Sequence, residues 1–468
     1  MYSPNLTTLM KMLQQEQQLK ETRSTTNNVV TSVTLSATPI SLQADSLPFS
    51  LFPNKEGAST KKLKKKVLLV SDHCQSYNYN SKVSWNLIKV LAKREELEVY
   101  HFGINQNENN TADHRHYPAN VTYFSAKELL TESTASTASP SSLLNSYVDK
   151  VKPDYIVVFQ HVDTLQSYLE GLGECQHKVY KMLVYADLQY YNVPITTVDV
   201  LNKYADRVFV NTDFYKRLLL ESSLAKPVEV LRYGFDRTLM PIVDKKVARY
   251  KINLPESGFT ILAPCENTKE NRYDIVIKAY AKLISKYPEV EMRLFCLCDK
   301  TEADGYPIIQ MYKEEIKRNG CLFENHTGKI MLVQNKQVFN DEVKNVIFNS
   351  VDVGICCPET ANAQLNALDM MFVGVPQIIV GGGAYAEYVD STNSAPVPIH
   401  SYSYSANNTE NSHLSEIRAV NYEDVFLALE RYLRNPSLIM EHGEAAKRKV
   451  SESADWATNF SSIINSFV

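Results

Sequence analysis

The stretch CPETANAQLNALDMMFVGVPQIIVGGG, residues 357–383, decides the fold of this chain. It begins like the end of a strand, continues with the apolar spacing of a helix, turns at Gly-Val-Pro and passes through an apolar strand into three glycines. In a parallel sheet, such a unit presents polar side chains to a ligand at the carboxyl edge. Glu359, Asn362 and Asp369 are therefore candidate ligand-binding residues.

The same alternation of short apolar runs and helical patterns extends through most of the chain. The runs in the first half include VLLVSD, LEVYHFGI, DYIVVFQHVD and YKMLVYAD, and those in the second half include FTILAPCEN, EMRLFCLCD, KIMLVQN and DVGICCPE. This pattern predicts βα units with parallel sheets. The polar stretch RTLMPIVDKKVARYKINLPESG, which contains two prolines, separates the two series.

We therefore expect an α/β protein with two Rossmann-like domains that face a cleft. The first would span residues 65–240, the second 241–440, and the C-terminal helices 441–468, the last of which would cross back to the first domain. Residues 1–64 are Gln-rich and then Ser/Thr/Asn-rich without periodicity, which is typical of a mobile tail. We interpret the KKLKKK run at its end as a solvated stretch, with weak peripheral membrane contact or a nucleic-acid patch as the alternatives.

Composition narrows the class of protein. The net charge of −4 argues against nucleic acid as the main partner. No apolar run reaches the roughly 18 residues of a membrane span, and the first residues lack the apolar core of a signal peptide. The eight cysteines form no C-x-x-C pair, and several lie in apolar runs, so we expect reduced core cysteines and a cytoplasmic location.

The ordered motifs resemble the GT-B fold, and in particular the retaining glycosyltransferases of family four (the glycosyltransferases group 1 superfamily). That family has Glu-Gly-Phe-Gly, then Glu-Ala-Met-Ala-x-Gly-x-Pro, then a Gly-Gly-x-x-Glu turn. Here ANAQ at 361–364, DMMFVGVP at 369–376 and GGAYAE at 382–387 stand in the same order. The links YADRVFVNTDFYKRLLL and VEVLRYGFD and the C-terminal helices are also similar, so the likeness covers roughly residues 65–468.

This resemblance implies transfer of a hexose from a UDP- or GDP-sugar to a carbohydrate or other hydroxyl acceptor, with retention of configuration. It implies no metal and no cofactor other than the nucleotide-sugar, which is a co-substrate. The leaving phosphate itself would deprotonate the acceptor, in contrast to the two-carboxylate chemistry of glycosidases.

For the donor's diphosphate, the resemblance points to backbone amides and a cation. The loop that contains Thr360 and Asn362 opens a helix, and Gly382 and Gly383 would allow close approach of the backbone. Arg272 is the expected cation, with a solvated helix-start charge as the alternative.

Three further donor-binding predictions concern the phosphates and the sugar. Lys269 would substitute for an earlier cation that the family has and this chain lacks. His73, after the first strand, would lie beside the phosphates. Glu387 resembles the carboxylate after the Gly-Gly turn and would contact the sugar or cap the next helix.

Asp369 stands where the family's second Glu accepts from the ribose hydroxyls, and it is one methylene shorter. Ala361 stands at the position of the family's first Glu, and Glu359, two residues earlier, is the substitute that we name as catalytic, with a loop or cap residue as the alternative. Asp187 and His161 follow strands of the first domain, and we name them as further catalytic residues, which would contact the acceptor. For both, a structural role on a loop is the alternative.

The departures from the family pattern support a second hypothesis from another class. A catalytically degenerate GT-B protein would bind a nucleotide-sugar, or act as an interaction module, without transferring the sugar. Ala361, the shorter Asp369, the missing first cation and a first loop poor in glycine favour it. A dinucleotide-dependent oxidoreductase is disfavoured because no G-x-G-x-x-G follows VLLVSD.

Overall fold

The computed structural model describes residues 64–76, 78–104, 115–126, 140–173, 179–299, 305–333, 339–405, 414–452 and 455–467. The predicted mobile tail lies outside these residues except for its last position, Lys64. Among the described residues, no helix is both long and apolar enough to cross a membrane.

The first sheet contains seven strands within the described residues, in the order β3-β2-β1-β4-β5-β6-β7. All of its strand pairs are parallel. The strands are β1 (Lys65–Asp72), β2 (Leu97–Ile104), β3 (Val121–Ser125), β4 (Tyr155–His161), β5 (Lys181–Asp187), β6 (Arg207–Val210) and β7 (Val228–Val230). The helices are α1 (Tyr79–Ala92), α2 (Pro140–Val151), α3 (Val162–Gly173), α4 (Ile195–Tyr204) and α5 (Asp213–Glu221).

The second sheet contains six strands within the described residues, in the order β10-β9-β8-β11-β12-β13, and it is also parallel. Its strands are β8 (Phe259–Ala263), β9 (Met292–Asp299), β10 (Ile330–Val333), β11 (Val353–Cys356), β12 (Gln377–Val380) and β13 (Ala395–Val397). The helices of this half are α6 (Lys245–Lys251), α7 (Tyr273–Lys286), α8 (Ile308–Arg318), α9 (Asp341–Ser350), α10 (Leu365–Phe372), α11 (Tyr422–Arg434) and α12 (Pro436–Ser451). An antiparallel pair, β14 (Ile399–Tyr404) and β15 (Glu416–Val420), follows β13.

Burial on both faces explains why the strands read as continuous apolar runs. In β1, the run from Val67 to Val70 is fully buried, and in β12 the whole of Gln377–Val380 is buried. Parallel strands that are covered by helices on both faces require apolar side chains at successive positions. The predicted α/β fold with two parallel sheets is therefore confirmed.

Each sheet has a point where the strand order reverses, at β1 in the first sheet and at β8 in the second. Ligands of open α/β sheets bind outside the carboxyl ends of the strands at such points. The predicted boundary near residue 240 falls between β7 and α6, in the connection that joins the two sheets.

The C-terminal segment lies against the first domain. It contains α13 (Trp456–Asn459) and α14 (Ser461–Ile464). The Trp456 ring lies 6.1 Å from the ring of Tyr233, and the Phe467 ring lies 5.1 Å from the ring of Tyr155 in β4. Close packing at Gly234 reinforces this contact, since a Cβ there would lie within 2.5 Å of the Trp456 Cα.

Candidate active site

A cavity of about 620 Å³ lies between the two sheets, and residues of both domains line it. Five of the residues that we predicted from the sequence are among those lining it: His161, Asp187, Thr360, Asn362 and Asp369. The first two end strands of the first domain, and the other three belong to the loop and helix after β11. The structure thus brings together predicted residues that are up to 208 positions apart, from His161 to Asp369.

Asp369 lies on α10 and is buried. Its Oδ2 accepts a hydrogen bond of 2.7 Å from the Nζ of Lys82, which lies in the first turn of α1 in the other domain. Burial raises the pKa of Asp369, and the Lys82 ammonium opposes that shift. The predicted ribose-binding carboxylate is therefore already engaged in a buried ion pair between the domains.

A second buried ion pair joins the domains beside the first. The Arg115 guanidinium donates to both carboxylate oxygens of Asp341, with distances of 3.0 and 3.1 Å from Nη2 and 3.1 Å from Nε. Its Nη1 also donates to the Cys74 carbonyl and the Ser81 hydroxyl. Burial alone would raise the pKa of Asp341, but the charges of Arg115 and of lysines 82 and 344 lower it to about 2.

The residues of these two ion pairs other than Asp369 were not predicted from the sequence. Lys82, Arg115, Asp341 and Lys344 all line the cavity. The place of Lys82 in the site could have been predicted from the sequence, because Lys82 lies in the helix that follows β1, at the switch point of the sheet. Arg115 and Asp341 could not be predicted in this way, because each lies outside any recognisable motif and pairs with a residue of the other domain.

Asp187 and His161 lie at the carboxyl ends of adjacent strands and are paired in register. Burial raises the pKa of Asp187 to about 6, although His161 and Gln189 favour its charged form. The Gln189 side chain donates to Oδ2 at 3.0 Å, whereas Oδ1 makes no hydrogen bond to the described residues. An ionised carboxylate is an acceptor-only group, and Asp187 is part of the cavity lining beside His161.

The loop before α10 connects the two halves of the cavity. The Ala361 amide donates to the Gln189 carbonyl of the first domain at 2.7 Å, and the Thr360 hydroxyl donates to the Asn362 side chain at 3.1 Å. Ala361 is fully buried at the position where the resembling family has its first Glu. No carboxylate can therefore act from this position of the loop.

Arg272 and Glu359 lie together but are not among the residues that line the cavity. Arg272 donates to both oxygens of Asp274 at 2.9 and 2.8 Å and to Glu359 Oε1 at 2.6 Å. These contacts, first of all the one with Asp274, raise the pKa of Arg272. Burial raises the pKa of Glu359, and Arg272 opposes that shift. In this arrangement the guanidinium serves two carboxylates of its own domain, and the donor and catalytic roles stay predictions.

The other predicted donor residues also lie outside the cavity lining. Lys269 belongs to a 3₁₀ turn, Lys269–Asn271, and its carbonyl accepts from the Tyr306 hydroxyl. Gly383 has a φ of 66°, and a Cβ there would lie 2.8 Å from the Ala361 carbonyl oxygen, so it packs against the loop. A Cβ on Gly382 would lie 2.8 Å from the side chain of Ile399. Their donor roles likewise stay predictions.

Glu387 and His73 have other partners in the described residues. Glu387 Oε1 accepts from the Phe214 amide at 2.7 Å, in the first turn of α5, and Oε2 accepts from Arg232 at 3.4 Å. It therefore links the two domains on a neighbouring surface. His73 is buried against Tyr117, and burial lowers its pKa to about 4.

Comparisons with known proteins extend this description. No protein-family model and no curated protein matches the chain. Solved structures do match, among them a glycosyltransferase from Rickettsia africae ESF-5, with 14% identity, a TM-score of 0.60 and coverage of 86% of this chain and 98% of that one. A sucrose-phosphate synthase from Thermosynechococcus elongatus matches with 15% identity, a TM-score of 0.60 and the same coverages. Anabaena HepE in complex with UDP and glucose matches with 12% identity, a TM-score of 0.60 and coverages of 86% and 99%.

These neighbours establish the fold class. The described architecture, two parallel α/β domains around a cavity, is shared with glycosyltransferase structures over most of both chains. The predicted GT-B fold is confirmed.

Proposed function

We propose that this protein is a glycosyltransferase that moves a hexose from a UDP- or GDP-sugar to a hydroxyl acceptor with retention of configuration. The observation that carries the proposal is the cavity, which has the Asp369 carboxylate on one wall and Asp187 with His161 on the other. Support comes from the neighbours, since Anabaena HepE is described in complex with UDP-glucose and with UDP. A nucleotide-sugar has a ribose and a sugar at opposite ends of its diphosphate, which suits two polar walls.

Each wall has a distinct role in this proposal. Asp369 accepts hydrogen bonds from the ribose hydroxyls, and the loop at Thr360 and Asn362 contacts the diphosphate. Asp187, with its pKa near 6, is mainly ionised at neutral pH, so its carboxylate accepts from a sugar or acceptor hydroxyl.

The chemical step needs no strong base from the protein. The bond between the anomeric carbon and the donor phosphate breaks, the acceptor oxygen forms the new bond on the same face, and the acceptor's proton goes to the leaving phosphate. The protein's task is to hold donor and acceptor in reacting geometry and to stabilise the charge that develops on the diphosphate. This route is compatible with Ala361 at the position of the family's first Glu.

The second candidate is a catalytically degenerate GT-B protein that binds a nucleotide-sugar or serves as an interaction module. One specific observation favours it: Arg272, the expected diphosphate cation, is paired with Asp274 and Glu359 outside the cavity lining. Such a protein would bind the nucleotide-sugar without transferring the sugar to an acceptor.

A thermal-shift panel tests the proposal. UDP, GDP, ADP and the corresponding nucleotide-sugars are added to the purified full chain and to Asp369→Asn. Binding to the folded state raises the melting temperature. We expect a shift with one nucleotide that is smaller in Asp369→Asn and unchanged in Asp236→Asn, a control carboxylate that pairs with Lys89 outside the cavity.

Donor hydrolysis and transfer assays with the sugar of that nucleotide then separate the two candidates. Turnover supports the transferase, and tight binding without turnover supports the degenerate protein. A well-folded sample that responds to none of these ligands would overturn the donor site itself.

A further inference from the structure

The cations that line the cavity differ from those that the sequence pattern suggests. Within the described residues, the Lys and Arg side chains of the lining are Lys82, Arg115 and Lys344. Arg272 and Lys269 are absent from that set. A phosphate group in the cavity would therefore meet cations that we did not predict from the sequence.

The guanidinium of Arg115 is held by hydrogen bonds to other groups of the protein. Its Nε, Nη1 and Nη2 all donate to protein acceptors, namely the Asp341 carboxylate, the Cys74 carbonyl and the Ser81 hydroxyl. A planar guanidinium held by three groups at fixed angles cannot turn to a ligand without losing several charge-assisted hydrogen bonds. Its geometry is that of a fixed connection between the domains.

Lys82 is placed differently. Its ammonium lies 2.7 Å from Oδ2 of Asp369, the carboxylate that we assign to the ribose, and both side chains are buried. An ammonium on a four-carbon stem has three donors and can rotate from one acceptor to another. In a nucleotide the same ribose ring carries the hydroxyls and, through its 5′ carbon, the phosphates, so an ammonium on a flexible stem beside the hydroxyl-binding carboxylate can turn toward the phosphates.

We propose that Lys82 is a donor-binding residue that exchanges partners. In the arrangement described here it neutralises Asp369, and when the ribose hydroxyls take that carboxylate, the Lys82 ammonium turns to the donor's phosphates. This inference rests on the proposed function. The exchange replaces one buried charge-assisted contact by others, so neither Asp369 nor Lys82 is left buried without a partner.

If this exchange occurs, one substitution in the protein should change its affinity for a nucleoside and its affinity for a nucleoside diphosphate in different ways. A nucleoside must compete with Lys82 for Asp369 and gains nothing from the ammonium, whereas a diphosphate receives it. We therefore compare dissociation constants of uridine and UDP, or of guanosine and GDP if the protein prefers them, for the wild type and Lys82→Met. Isothermal calorimetry on the full chain supplies both constants.

We expect Lys82→Met to weaken diphosphate binding about 10-fold or more, as for loss of a hydrogen bond to a charged group. Nucleoside binding should stay the same or tighten. Lys82→Arg, which keeps the charge, should retain most of the diphosphate affinity. Lys89→Met is the matched control, since Lys89 lies seven residues later on α1, pairs with Asp236 and is not part of the cavity lining.

The outcomes separate this inference from the proposed function. Equal weakening of both ligands would give Lys82 a structural role only, and unchanged constants would remove it from the site; in either case nucleotide binding itself would stand. A wild type that binds neither diphosphate would overturn both proposals.

If Lys82→Met does not fold, because Asp369 is left as a buried charge, the comparison is made between Asp369→Asn and Asp369→Asn with Lys82→Met. Neither then carries an uncompensated carboxylate at position 369. A diphosphate constant that does not rise in the double variant would contradict the proposal.

Discussion

Two buried aspartates that line the cavity have pKa values that their surroundings shift in opposite directions. Burial raises the pKa of Asp187 to about 6, with only a partial offset from His161 and Gln189. Asp341 is buried as well, yet the guanidinium of Arg115 and two lysines lower its pKa to about 2. The two carboxylates thus have opposite effects on the dependence of stability on pH.

The substitution Asp187→Asn should stabilise the protein above pH 6. The folded-state pKa of about 6 lies above the ordinary value of 3.8, so the folded protein binds this proton more tightly than the unfolded chain. The contribution that the protonated Asp187 makes to the stability of the wild type is therefore fully present below pH 3.8, and it is lost as the pH rises through 6. At 1.36 kcal/mol per pKa unit, the loss amounts to roughly 3 kcal/mol.

Denaturant titrations of the wild type and Asp187→Asn between pH 4 and 8 measure this effect. The gain in unfolding free energy for the variant should be larger at pH 8 than at pH 4. Asp341→Asn serves as the control: the contribution of the ionised Asp341 is fully present above pH 3.8 and is lost only as the pH falls through about 2, so the cost of this substitution should stay constant between pH 4 and 8. A constant difference between wild type and Asp187→Asn across the range would contradict the raised pKa.

At the residue scale, the sequence predicted those cavity residues whose position follows from one element. Asp187 and His161 end strands, and Asp369 lies on the helix after a strand, so the topology of a parallel sheet brings them to one edge. Arg115 and Asp341 are 226 positions apart, and their pairing depends on how two domains meet. No local pattern carries that information. Arg272 and Glu359 lie in one domain but are 87 positions apart, so their pairing could not be predicted from a local pattern either.

At the scale of elements, the alternation of strands and helices was predictable because burial on both faces requires apolar strands. The docking of the C-terminal segment depends on a close approach that no periodicity encodes. Gly234 lies against the backbone of Trp456, and the Asn459 side chain donates to the Tyr233 carbonyl at 2.9 Å. The segment is thereby fixed to the chain that leaves β7.

The substitution Gly234→Ala should loosen this segment. The added Cβ would overlap the backbone at Asp455 and Trp456, and backbone atoms cannot move aside as a flexible side chain can. We expect a loss of about 1–3 kcal/mol in unfolding free energy, typical of overpacking. Hydrogen exchange of residues 455–467 should become faster.

Gly328→Ala is the matched control for this prediction. A Cβ at Gly328 meets nothing within 4 Å, so the same chemical change should leave stability and exchange almost unaltered. If Gly234→Ala behaves like Gly328→Ala, the close contact with Trp456 does not hold the segment.

At the scale of the whole molecule, contacts of three kinds hold the two domains together. Two buried ion pairs cross the cavity, the Phe235 ring stacks on that of Phe372 at 5.1 Å, and the Ala361 amide bonds to the Gln189 carbonyl. Closure of a cleft over its substrates excludes water from the reaction, and opening releases the product. In this molecule, opening requires separation of the buried pairs.

The Arg115–Asp341 pair should therefore control both stability and domain separation. Removal of one partner from a buried pair typically costs about 3–5 kcal/mol, because the other charge is left buried and uncompensated. Arg115→Met should lose stability in that range and increase the radius of gyration in small-angle X-ray scattering. The double variant, Arg115→Met with Asp341→Leu, should lose less than the sum of the two single changes, since it leaves no unpaired charge.

Arg232→Met tests whether an ion pair between the domains must be buried in order to stabilise the protein. Arg232 also joins the domains, through Asp213 of the first and Glu387 of the second, but its side chain is 39% exposed. A solvent-exposed pair contributes about 0–1 kcal/mol, so this variant should change neither stability nor the radius of gyration appreciably. If Arg115→Met and Arg232→Met had equal effects, or if the double variant lost as much as the sum of its parts, the buried pair would not be what keeps the cleft closed, and the apolar contact at Phe235 and Phe372 would take that role.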